Sequence, residues 1–234
     1  MPTAVFEQLL PGLPRPLRRL VGAIEDRAGL SIDATPHGER MACDFGRHRA
    51  VIQVPDGGPP RDSASVYHEL LHLKRYFVDD IPKLVYCDDA HEFESDADAR
   101  LPQLFERLDN QIEHLFIVPH ELARYRGARR YWAGRLHALL GDPRLSDDGV
   151  LVVWTFVHRV LGDDLLADTA QARVDQRGLG EACVRFGRAV DESKEAATLF
   201  LFETFSPGTL PRACLEYFAR QQEIALASVK RAAG

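Results

Sequence analysis

Two histidines four residues apart, with a glutamate directly after the first, stand at His68-Glu69-Leu70-Leu71-His72 in the stretch VYHELLHLKRYF. On a helix, positions i and i+4 share a face one turn apart. The two imidazoles can therefore converge on one tetrahedral cation such as Zn²⁺. Glu69 is rotated off that line, so its carboxylate can reach a metal-bound water without occupying a ligand position. The chemistry this trio can perform is hydrolysis, with the glutamate moving a proton. The alternative is an ordinary amphipathic helix with two histidines on its wet side.

A catalytic zinc takes three protein ligands and keeps one position open for water. The candidates for the third lie in FERLDNQIEHLFIVPHEL, residues 105–122. On a helical wheel Leu101, Phe105, Leu108, Ile112, Leu115 and Phe116 form the apolar stripe. Glu113 falls beside that stripe, in line with Glu106 and Asp109, while His114 falls on the wetter side. A ligand must face its neighbour, which favours Glu113 as the third metal ligand beside His68 and His72. Glu106 is the next choice, followed by His114 and His120. Asp109, or Asn110, could accept the second N–H of a liganding histidine and fix its tautomer. A further donor is needed for the oxyanion. Tyr76, His114, His120 and Tyr125 are eligible, and His120 is preferred as a catalytic group beside Glu69.

HELLH after a β-strand resembles the active-site helix of the zincin metallopeptidases, over roughly residues 48–122. The metzincin extension is absent: His72 is followed by Leu73-Lys74-Arg75-Tyr76-Phe77, without the glycine and third histidine. What remains is the gluzincin-like pattern, in which a glutamate of a later helix completes the site. The resemblance implies a zinc-dependent metallopeptidase acting on a peptide or protein, with Glu69 as general base. In zincins the strand before this helix, here RAVIQVP, is often an open edge that an extended peptide can join. A degenerate or structural-zinc domain serving as a protein-interaction module is the alternative. The intact Glu69 argues against it, because a structural site does not need that carboxylate.

The elements that must position these residues follow from period and punctuation. Residues 3–29 carry one or two helices broken at Pro11 and Pro14, with Leu17, Leu20, Val21 and Ile24 as apolar stripe and Gly29 as stop. Residues 31–55 suggest a small antiparallel or mixed sheet whose last strand runs near Ala50–Val54. PDGGPPRD is a turn, and Asp62 or Ser63 can cap the helix carrying HELLH. That helix should bury Val66, Leu70, Leu73 and Phe77. Residues 79–98 hold eight acidic side chains, with Lys83 as the single lysine or arginine. A solvated loop, or a preference for basic substrates or a second cation such as Ca²⁺, follows from that charge. A long helix spans about Pro102–Leu122. From about Leu145 onward the chain reads as helical throughout, including RACLEYFARQQEIALASVKRA. One α+β domain results, with an N-terminal α/β part of about 1–78 and a helical part of about 100–234.

Bulk properties set the remaining bounds. The net charge of −6 opposes a nucleic-acid binder acting through a generally basic surface. No apolar run approaches the roughly 20 residues of a membrane span, and the N-terminus is a poor secretory signal. The cysteines Cys43, Cys87, Cys183 and Cys214 show no C-x-x-C spacing. They are expected mostly reduced in a cytoplasmic protein, with one disulfide as the lesser option. A peptidase in that compartment is expected to be restrained by narrow specificity or a regulatory partner.

Overall fold

The computed structural model describes residues 4–56, 62–87 and 98–229. The expected turn at 57–61, most of the acidic stretch and the last five residues lie outside the described part. The chain is α+β and mostly helical, and it forms two compact units. The first comprises residues 1–82 with 217–222, the second 83–216 with 223–234.

In the first unit, α1 (Ala4–Leu9) and α2 (Arg15–Ala28) precede three strands and one long helix. Pro16 in the first turn of α2 costs no intrahelical hydrogen bond. Gly29 ends the helix at φ 65°, in the left-handed region, where its N–H reaches the Glu25 carbonyl. Leu17, Val21 and Ile24 are buried as the stripe requires. Glu25 is buried too, and its Oε1 accepts from the Ile32 N–H at 2.9 Å, tying α2 to the first strand.

The strands β1 (Ile32–Pro36), β2 (Ala42–Gly46) and β3 (Arg49–Val54) form a sheet in the order β1-β3-β2. β3 pairs parallel with β1 and antiparallel with β2. The sheet is therefore mixed, and RAVIQV is its central strand rather than an open edge. Its burial explains this: Ala50, Val51 and Ile52 are consecutive and all buried, as in a strand covered on both faces. Peptide addition to that strand is excluded, because both its ladders are already taken.

α3 (Ser63–Phe77) carries HELLH. Asp62 is its N-cap, with its side chain accepting from the Ser65 N–H at 2.6 Å. Val66, Leu70, Leu73 and Phe77 are all buried against the first unit's core. The helix's far end is held by aromatic rings. Phe45 of β2 lies 4.9 Å from Tyr76 between centroids, and Phe218 stacks on Phe77 at 5.3 Å. Both ends of α3 are thus anchored, which fixes the rotation of the two histidines between them.

The second unit begins with β4 (Lys83–Tyr86) and α4 (Leu101–Arg124), the long helix expected from the sequence. It continues with α5 (Arg126–Gly141), α6 (Asp147–Phe156), α7 (Asp164–Gln176), α8 (Gly180–Glu192) and α9 (Lys194–Phe205). Ile112, Ile117, Trp132, Leu151, Val174, Phe186 and Phe202 are among its buried side chains.

The segment read from sequence as a last helix instead forms β5 (Ala213–Tyr217) and β6 (Gln222–Ala225), which with β4 make the sheet β4-β5-β6. β5 pairs antiparallel with β4, Val85 opposite Cys214. Ala213, Cys214 and Leu215 are consecutive and buried, so tertiary pairing overrides the local helical preference. A Cys87–Cys214 disulfide ties the residue after β4 to β5, so the lesser expectation for the cysteines holds here, while Cys43 and Cys183 take no part in a disulfide. No helix among the described residues is long and apolar enough to cross a membrane.

Candidate metal-binding helix

His68 and His72 lie one turn apart on α3, and their Nε2 atoms approach to 3.3 Å. That separation is long for an imidazole–imidazole hydrogen bond, whose usual range centres near ~2.9–3.0 Å. It matches another geometry closely. Two nitrogens each about 2.05 Å from a tetrahedral zinc, at an angle near ~109°, stand about 3.3 Å apart. The rings are steeply inclined, at 79° with centroids 5.0 Å apart, so they meet through their nitrogen edges rather than by stacking. The pair thus presents two imidazole nitrogens at the bite a tetrahedral ion requires. His72 is buried and His68 half-buried, a setting that shields an ion's ligands while leaving one side accessible. Glu69, the intervening acid, is only 7% exposed.

The α4 candidates have distinct environments within their own unit. Glu113, read from the sequence as third ligand, is fully buried, and its Oε2 lies 2.9 Å from Lys194 Nζ. Asp109 shares the same ammonium at 2.8 Å, and its Oδ1 also accepts from the Leu84 N–H at 2.8 Å. The Asp109 oxygen expected to orient a histidine is thus committed to β4 and Lys194. Lys194 is the first residue of α9, where Ser193 supplies the cap by accepting from the Ala196 N–H. A cation at a helix N-terminus faces the positive end of the macrodipole, so two carboxylates are what make this position tolerable.

His114, adjacent to Glu113 and about 100° round the helix, is buried with its ring 4.9 Å from Trp132 of α5. Trp132 Nε1 donates to Glu121 Oε2 at 3.0 Å, which steadies that wall. Glu106 and His120 are exposed on α4. Tyr76 belongs to the aromatic cluster with Phe45 and Phe218, and Tyr125, at the α4–α5 junction, has Arg124 over its ring at 5.7 Å.

The structure therefore brings together His68 and His72 on one helix, and Asp109, Glu113 and Lys194 inside the helical unit. Sequence reasoning missed Lys194. Its signal was present: a lysine opening the apolar helix KEAATLFLFETF, at the end where a positive charge is least favourable. No family model, curated protein or solved structure matches the chain.

Proposed function

We propose that this chain is a zinc-dependent hydrolase of peptide bonds, with His68 and His72 as metal ligands and Glu69 as general base. The observation that carries the reading is the 3.3 Å approach of the two Nε2 atoms on a helix anchored at both ends, with a buried glutamate between them. When bound, zinc supplies an acidified water and polarises the scissile carbonyl. Glu69 takes the proton of the attacking water on a carboxylate oxygen and returns it to the leaving amine nitrogen. Burial of Glu69 keeps bulk water from competing for that proton. The aliphatic side of α3 holds the imidazoles in place, so little is lost to reorganisation when a ligand arrives.

The third ligand belongs to α4 on this reading. To bind the ion Glu113 would have to give up the fully buried Lys194 ammonium, which would keep Asp109, and the lost buried contact weighs against that choice. An imidazole suits zinc equally well, so His114 is the preferred third ligand, with Glu113 its competitor. The substrate class follows from the hydrolytic trio and the family resemblance. A restraining partner goes with that proposal, while the Cys87–Cys214 disulfide weighs against the expected reducing cytoplasm.

The test is a pair of measurements on purified protein. Metal content by mass spectrometry should be one zinc per chain in the wild type, and lost in His72→Ala. Glu69→Gln should retain the zinc yet cleave a fluorogenic peptide library roughly 10²–10⁴-fold more slowly. Zinc retained with no cleavage in the wild type would move the proposal to the interaction-module alternative.

A further inference from the structure

The exposed side of α5 has a character the proposed hydrolase does not use. Its sixteen residues, RGARRYWAGRLHALLG, contain Arg126, Arg129, Arg130 and Arg135 and no acidic residue or lysine, in a chain of net charge −6. All four arginines are exposed. Some surface arginines elsewhere pair with aspartates, as in Arg49–Asp44, Arg144–Asp142, Arg177–Asp147 and Arg220–Asp80, while others, such as Arg18 and Arg19 of α2, do not. On α5 no arginine has a carboxylate partner among the described residues. Arg129 Nη1 donates to the Leu161 carbonyl, and Arg135 Nη1 to the Tyr131 hydroxyl at 3.3 Å.

The shape of this face is as distinctive as its charge. Gly127, Gly134 and Gly141 recur every seven residues on the exposed side, and nothing lies within 4 Å of where a Cβ on any of them would sit. No packing inside the protein requires them, and each weakens the helix relative to alanine. At 100° per residue they form a shallow line with Arg126, Arg130 and His137 along one side, and Tyr131 and Arg135 along the other. Tyr131 is 56% exposed. A heptad spacing is the period of two helices crossing at about 20°.

We propose that this face of α5 docks an acidic α-helix of a partner protein. The partner's backbone lies along the glycine line, and its glutamates or aspartates pair with the guanidinium groups on both flanks. Guanidinium forks take carboxylates bidentately, which suits a face built from arginine without lysine. The straight heptad line of glycines favours a helix over a nucleic-acid strand.

The test uses the full chain and a fluorescein-labelled helical peptide of repeated heptads, alanine on its contact face and glutamate on both flanks. Its twin carries lysine in place of glutamate. Anisotropy titrations should show the glutamate peptide bound, weakening as salt rises, with the lysine twin at least about tenfold weaker. Arg126→Glu with Arg130→Glu should lower affinity for the glutamate peptide about tenfold or more, at unchanged circular dichroism and thermal midpoint. If that double reversal fails to fold, Arg126→Ala with Arg130→Ala gives the same readout. Gly134→Leu should also block the peptide while leaving the arginines in place. No binding, equal binding of the two peptides, or undiminished binding to the arginine variants would overturn the proposal. So would displacement of the glutamate peptide by single-stranded oligothymidine.

Discussion

Replacing Lys194 with methionine removes a buried cation shared by Asp109 and Glu113. The Lys194 and Glu113 side chains are both 0% exposed, and Asp109 is 4% exposed, so water screens none of the three charges. Breaking a buried pair by deleting one partner costs about 3–5 kcal/mol, because the other charge is left uncompensated. Here two buried carboxylates lose the same ammonium, which places Lys194→Met at the upper end. For a chain of this length each kcal/mol corresponds to roughly 2–4 °C, so the thermal midpoint should fall by roughly 10–20 °C. The assay is thermal and urea denaturation of wild type, Lys194→Met, Glu113→Gln and the double variant. The double variant should be more stable than the sum of the two single losses requires, since the second change removes a charge the first had orphaned. Glu113→Gln should keep its zinc while losing stability. A Lys194→Met protein within about 0.5 kcal/mol of wild type, or strictly additive losses, would refute the reasoning.

Three further outcomes follow from local geometry. Asp62→Ala removes the α3 cap and should cost about 1 kcal/mol, seen as a lower urea midpoint at unchanged slope. Burial pushes the Cys183 thiol up to about 11, from an ordinary 9.0. Its thiolate fraction near pH 8 is therefore about a hundredfold reduced, and iodoacetamide should label it about that much more slowly folded than unfolded. Reducing Cys87–Cys214, which bridges a sequence separation of 127, should destabilise the protein by up to about 5 kcal/mol on loop entropy, measured by denaturation with and without a phosphine reductant.

The features legible in the sequence are the local ones. The α3 apolar stripe, its Asp62 cap and the histidine pair all lie within one short window, where helical period alone sets the phase. α4 was legible for the same reason. What was not legible depends on partners far along the chain. β3 is central because β1 and β2 flank it, an order that no single strand encodes. The stretch after Arg212 has helical composition but pairs with β4, more than a hundred residues earlier. Glu113 beside its stripe looks the same on a wheel whether it meets a metal or a lysine, and Lys194 decides its environment from another helix. The cysteine pairing was hidden by the same distance. The arginine face of α5 was fully visible as composition, but only burial separates its exposed glycines from packed ones.

The central claim is that His68 and His72 grip one zinc ion together with a residue of α4. Its most direct measurement is the zinc stoichiometry of wild type, His68→Ala, His72→Ala, Glu113→Ala and His114→Ala, each purified after dialysis against a weak chelator. The account predicts one zinc per wild-type chain, none with either α3 histidine removed, loss with His114→Ala, and retention with Glu113→Ala. A metal-free wild type that takes up no zinc on titration would contradict it.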